Sequence, residues 1–123
     1  MITEKFLEVL QHEGVVAIAT QGEKDIHMSN TWYSYMRVTP DGRILLPVGG
    51  MKTTEANINF NNKVLMTLGS REVQGFRSKG TGFLVRGVAT FLFEGDDFEM
   101  LKKDYSWARA VLEIRPESVT QTL

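Results

Sequence analysis

The sequence contains no cysteine, only three prolines and two histidines, and no excess of either charge: 14 Lys and Arg stand against 15 Asp and Glu, a net charge of −1. Without cysteine there is no disulfide frame, no thiol nucleophile, no zinc–thiolate site and no iron–sulfur cluster held by the chain's own ligands. His12 and His27 fall on different elements with no acidic pair at ligand spacing, so no metal site is expected. The balanced charge offers no clustered basic surface of the kind that binds nucleic acid or anionic membrane, and neither partner is expected. No run approaches membrane-spanning length. Met1–Leu10 carries Glu4, Lys5 and Glu8 and lacks the apolar centre of a secretory signal, so the expected location is cytoplasmic. Any redox chemistry must therefore be carried by a bound molecule.

What is present reads as one domain spanning residues 1–123, with 42% hydrophobic and 24% charged residues. Thr3–His12 predicts a short amphipathic helix, capped by Thr3 and ended by Gly14. Val15–Thr20 is a β-branched apolar run closed by a polar turn. Met28–Val38 alternates in two sets, neither purely apolar, and predicts a strand that lines something polar. Thr39-Pro40-Asp41-Gly42 is a turn signal, after which Arg43–Val48 returns as a strand. Lys52–Asn62 reads as a helix, Val64–Ser70 as a strand and Arg71–Thr81 as a polar loop. Gly82–Phe93 is a long strand with a bulge or close approach at Gly87. Asp96–Tyr105 is a helix with acidic start and basic end, and Trp107–Ile114 a last strand before Pro116 and a tail. The expected fold is mainly β in an α+β setting, a six-stranded antiparallel barrel with short flanking helices.

Several candidate motifs fail on spacing. Gly49-Gly50-Met51-Lys52-Thr53-Thr54 is no Walker loop, because Met51 stands where a glycine must precede the lysine. Two glycines before a helix start still permit close backbone approach, free N–H groups and a positive dipole end, which together suit an anion such as a phosphate. A plain strand-to-helix corner with capping threonines explains the same residues. Lys79–Val85 lacks the stacking aromatic of an RNA-recognition strand and the glycine of a dinucleotide fingerprint. No serine sits in a nucleophile elbow. Glu13 is either a surface charge at a helix end or a charge facing a bound group. Trp32, Tyr33, Tyr35 and Trp107 are either core aromatics or walls for a planar ring.

Several segments together carry a resemblance: Phe6–Leu10, Glu13–Gly22, Asn30-Thr31-Trp32, Ser34-Tyr35, Pro47–Met51, Thr54-Glu55-Ala56-Asn57, Val64–Arg71, Gly80–Leu84, Trp107–Ala110 and Gln121-Thr122-Leu123. In this order and over essentially the whole chain, they resemble the small FMN-binding proteins of the pyridoxamine-5′-phosphate-oxidase-like split-barrel superfamily. The resemblance implies a homodimer of split barrels, noncovalent FMN near the subunit interface, and electron transfer between a redox donor and an acceptor. An FMN-dependent oxidoreductase acting on a nicotinamide nucleotide or small amine is the alternative. Carried over by matching position, Asn30, Thr31, Trp32 and Tyr35 would border the flavin. Val48, Gly49 and Gly50 would bring backbone close to its ring, and Lys52, Thr53 and Thr54 would hold the phosphate. Trp107 and Leu123 would approach from the partner subunit, and Glu13 would influence the flavin electrostatically. Tyr33 has no matching role and is expected to pack in the core. The family pattern has Lys immediately before Thr-Glu-Ala-Asn, whereas this chain has Thr53 there and Lys52 one place earlier; Lys52 is expected to compensate in part.

Overall fold

Thr3 caps the first helix as its position predicts. In the computed structural model, which describes all of residues 1–123, the Thr3 hydroxyl accepts the Phe6 N–H at 3.2 Å at the start of α1 (Glu4–Val9). Phe6 and Val9 point from α1 into the core. The strands follow as β1 (Val15–Gln21), β2 (Ile26–Trp32), β3 (Arg37–Val38) and β4 (Ile44–Val48). After α2 (Lys52–Phe60) come β5 (Lys63–Gln74) and β6 (Lys79–Leu92). Helix α3 (Asp96–Asp104) precedes β7 (Ala110–Gln121). No helix is long and apolar enough to cross a membrane.

The seven strands form one antiparallel sheet in the order β2-β1-β5-β6-β7-β4-β3. Seven strands laid flat would separate the outer two by about 29 Å. Yet the edge strands β2 and β3 are joined by residues 33–36 alone, which span at most about 18 Å even fully extended. The sheet must therefore curl until its edges approach, closed by a chain link rather than by ladder hydrogen bonds, a split-barrel-like arrangement. Its interior holds Val16, Ile18, Ile44, Leu46, Met66, Val85, Leu112 and Ile114, closed at one side by Phe6 and Val9 of α1. A smaller cluster of Leu45, Leu101 and Val111 lies on the other face of β4 and β7, beneath α3. Strand β4 is consequently buried on both faces.

Four expectations need correction. There are seven strands, not six. Met28–Val38 is not one strand: β2 ends at Trp32, and a 3-10 turn over Tyr33–Tyr35 precedes β3. The turn is held by Tyr33, whose buried hydroxyl donates to the Gly69 carbonyl and accepts the Gly69 N–H at 2.6 Å. Arg71–Thr81 is not a loop, because β5 and β6 extend through it to a tight hairpin at Gly75–Ser78. The last strand begins at Ala110, not Trp107, and continues through Pro116 to Gln121. Pro116 is tolerated because it lies at a register shift opposite Gly87, where the ladder is already interrupted. Gly87 is required there, since a Cβ would lie 2.5 Å from the Arg115 carbonyl oxygen.

Candidate functional site

The corner after β4 is built by long-range contacts. Val48 is fully buried and pairs with Ala110, so its side chain belongs to the core and only its backbone faces the corner. Gly49 and Gly50 follow, both exposed. A Cβ on Gly49 would lie 3.3 Å from the Trp107 ring, whereas Gly50 has open space around it. Met51 then takes a left-handed backbone, φ 56° and ψ 37°, the only non-glycine residue in the chain with positive φ. That conformation is costly for an L side chain, on the order of 1 kcal/mol. Local strain of this kind persists where surrounding contacts over-determine it.

Helix α2 starts at Lys52 with no side-chain cap. Its first backbone bond runs from Glu55 N–H to Met51 O at 2.9 Å, so the N–H groups of Lys52, Thr53 and Thr54 lack an intrahelical acceptor. Lys52 and Thr53 are exposed. Thr54 is fully buried, and its hydroxyl lies 3.2 Å from Ser29 Oγ, which ties α2 to β2. On β2, Ser29 and Thr31 lean inward, while Met28, Asn30 and Trp32 lie on the exposed side.

Arg109 holds the corner together. Its backbone N–H donates to Val48 O at 2.8 Å. Its Nε donates to Gly49 O at 3.1 Å and Gly50 O at 3.0 Å, and its Nη2 to Gly50 O at 2.5 Å. Nη2 also lies 2.8 Å from Glu55 Oε1 in the first turn of α2.

Beside the corner stands an aromatic group. Tyr35, Tyr105 and Trp107 are mutually in contact, with ring centroids 5.1–5.6 Å apart. Trp107 thus meets Tyr35 and Gly49 of its own chain, and is 49% exposed; Trp32 is 46% exposed. The Tyr105 hydroxyl donates to Ser34 O at 3.0 Å and accepts from Arg37 Nη2 at 3.1 Å. Ser34 in turn meets Glu13, whose Oε2 accepts the Ser34 hydroxyl at 2.6 Å and whose Oε1 accepts the Ser34 and Gly14 N–H groups, each at 3.1 Å. These bonds, the Ser34 hydroxyl foremost, hold the Glu13 carboxyl below its ordinary value against a smaller opposing effect of desolvation.

Leu123 is not part of this group within the chain. Its carbonyl accepts from Thr81 Oγ1 at 2.7 Å and Gln121 Nε2 at 2.8 Å beside the β5–β6 hairpin, and its side chain is 63% exposed. No concavity of the chain encloses the whole Gly49–Thr54 corner: Thr53 alone lines one of about 470 Å³, with the β1–β2 turn and Asn57, and the largest, about 630 Å³, is lined by residues such as Leu7, Asp41, Arg43 and Pro116. The expectation that Thr54 faces a ligand is corrected by its burial against Ser29. The corner is therefore a flat seat with the free N–H groups of the exposed Lys52 and Thr53, the buried Thr54 behind them and half-exposed aromatic rings beside it. Such a surface suits an anion carried by a planar aromatic molecule.

The pyridoxamine 5′-phosphate oxidase family matches residues 2–123. The chain belongs to that family. Within it, an FMN-binding protein from Nitratidesulfovibrio vulgaris is 54% identical over 100% of both chains. Solved structures share the fold at low identity. HupZ of Group A Streptococcus superposes with a TM-score of 0.81 at 23% identity, covering 99% of this chain and 100% of that one. A putative pyridoxamine 5′-phosphate oxidase of Lactobacillus delbrueckii gives 0.74 at 16%, covering 96% and 92%.

Against the architecture of this oxidase family, Tyr33 is the fold residue it was expected to be, with its ring packed on Gly14. Arg109, Glu55, Ser34 and Tyr105 were given no role by sequence reasoning. Arg109 lay within one of the matched segments, but nothing local indicates that its side chain reaches residues 60 positions earlier.

Proposed function

We propose that the chain binds FMN noncovalently, one per subunit of a homodimer, and serves as a small electron-transfer flavoprotein between a redox donor and an acceptor. The observation that carries this reading is the 54% identity, over the full length of both chains, to a protein named for binding FMN. The seat fits that group. The N–H groups of the exposed Lys52 and Thr53 would hold the phosphate, with Lys52 adding charge; Thr54, fully buried, would anchor the helix start through Ser29 rather than face the ligand, and the open backbone at Gly50 would admit the ring. Asn30 and Trp32, on the exposed side of β2, would border it on one side, with Thr31 between them turned inward, and Tyr35 and Trp107 on the other. FMN supplies the redox chemistry when bound, and the chain supplies position and electrostatics. Glu13 contributes a fixed negative charge near the aromatic group.

A homodimer is supported by the outer face of β1, β2 and β5. Register places Val15 beside Trp32 and Ala19 beside both Met28 and Leu65, an apolar set on one exposed face. A second copy covering this face would complete a seat that one chain leaves flat, and the exposed Leu123 would be free to reach the partner's flavin. The family's description as an oxidase favours a second reading, turnover of a small reduced substrate.

The test is the visible absorption spectrum of the purified protein, repeated after adding FMN and removing the excess. Retained flavin at about one per chain supports the assignment; a protein that stays colourless overturns it. Rapid, saturable reduction of the bound flavin by NADH or NADPH would favour the oxidoreductase, and reduction only by strong donors or redox proteins the carrier. Size in solution tests the dimer directly.

A further inference from the structure

We propose that Arg109 is the positioning residue of the phosphate seat: it aims the backbone donors at the phosphate and cancels a nearby negative charge, without itself touching the ligand. The proposal rests on the FMN reading above.

Three observations carry it. First, the Arg109 backbone is fixed by its bond to Val48 O, where β7 begins beside β4, so its guanidinium starts from a rigid position. Second, the side chain collects the carbonyls of Gly49 and Gly50, the two residues of the corner with the greatest backbone freedom. In a trans peptide the C=O and N–H of one plane point in opposite directions. Drawing both carbonyls toward Arg109 therefore turns the N–H groups of Gly50 and Met51 away from it. Those donors extend the row that continues through Lys52 and Thr53, and the strained Met51 backbone is the geometry that joins the two stretches. Third, Glu55 occupies the first turn of α2, where an unpaired carboxylate would repel a phosphate. Its ion pair with Arg109 at 2.8 Å removes that repulsion, and both partners are mostly buried, with side chains 23% and 22% exposed.

A guanidinium is needed because one rigid fork must serve two carbonyls and a carboxylate at once, which a lysine ammonium cannot reproduce. Phe91 beneath the group, 5.8 Å from its ring centroid, limits alternative placements.

The test compares FMN with riboflavin, which lacks the phosphate, by fluorescence titration of Arg109→Gln, Arg109→Lys and Glu55→Gln, with circular dichroism confirming each fold. Arg109→Gln is expected to weaken FMN about tenfold, the scale of one charge-assisted hydrogen bond, and riboflavin by less than about threefold. Arg109→Lys, which keeps charge and bulk and is the variant least exposed to misfolding, is expected to recover only part of the FMN loss. Glu55→Gln keeps the carbonyl clamp and removes the competing charge, so FMN binding is expected to hold or tighten. Equal losses for FMN and riboflavin in Arg109→Gln would overturn the proposal and make Arg109 a general fold clamp. A Glu55→Gln loss as large as that of Arg109→Gln would overturn it too, by placing the whole effect in the ion pair. Wild-type protein that binds neither flavin would instead remove the FMN reading, a result seen before any variant is made.

Discussion

Glu13 and Ser34 face each other across the link that closes the barrel, with the Ser34 hydroxyl donating to Glu13 Oε2 at 2.6 Å and the Ser34 N–H to Oε1 at 3.1 Å. An exposed glutamate would ordinarily sample many rotamers. Here three hydrogen bonds hold it in one place beside the Tyr35–Tyr105–Trp107 group, so its charge acts from a fixed position.

A fixed negative charge near the ring opposes the gain of electrons. Glu13→Gln is therefore expected to raise the midpoint potential of bound FMN, on the order of 10–50 mV, limited by solvent screening. Redox titration of the two proteins checks it; an unchanged or lower potential would count against a role for this charge.

Acid should weaken the fold through two particular carboxyls. Asp41 is held below its ordinary value chiefly by the Thr39 hydroxyl and then by Arg43, and Glu13 chiefly by the Ser34 hydroxyl. Between the folded and ordinary values the unfolded chain binds more protons than the native one, so stability rises with pH there and is lost as pH falls through the folded values. Urea midpoints are expected to drop as pH falls through and below the ordinary carboxylate range of about 4, and Asp41→Asn with Glu13→Gln to flatten that slope.

Tyr33→Phe separates fold from site. The change keeps the ring against Gly14 but strips the Gly69 N–H and C=O of their buried partner, at a cost of about 1–3 kcal/mol. Thermal unfolding should fall by about 3–10 °C for a chain of this size, while FMN affinity in the folded protein stays unchanged. A loss of FMN affinity with stability intact would instead put Tyr33 at the flavin.

Thr53→Lys tests the departure from the family pattern. A lysine on the exposed first turn of α2 should tighten FMN several-fold and leave riboflavin unaffected. The cofactor-free protein should become slightly less stable, because a cation at a helix start opposes the dipole by about 0.3–1 kcal/mol. FMN affinity that does not change would mean that Lys52 already supplies the charge or that the phosphate lies elsewhere. Lys52→Gln, measured with both ligands, distinguishes the two.

Much of the fold was legible because it depends on local signals. Thr3 capped α1, the acidic start and basic end of Asp96–Asp104 marked α3, and the β-branched run from Val15 became β1. The misread segments share a cause. Arg71–Thr81 is polar and glycine-rich, which resembles a loop, yet β5 and β6 run through it because Ser70 pairs with Thr81 and Gln74 with Lys79 across a bulge, and Gly69 and Gly75 admit the close backbone contact. The break after Trp32 left no mark in the alternation, because it is imposed by Tyr33 reaching Gly69 on another strand.

The sequence alone determined the three helices, the mainly β character, the absence of thiol chemistry, and the family, since these follow from composition, periodicity and matched order along the chain. Tertiary structure decided which residues the site contains. Arg109 meets Gly49 and Gly50 only because β7 lies beside β4, and Ser29 meets Thr54 only because α2 folds back over β2. Such contacts join residues tens of positions apart, and local propensity carries no information about which distant strand will be a neighbour.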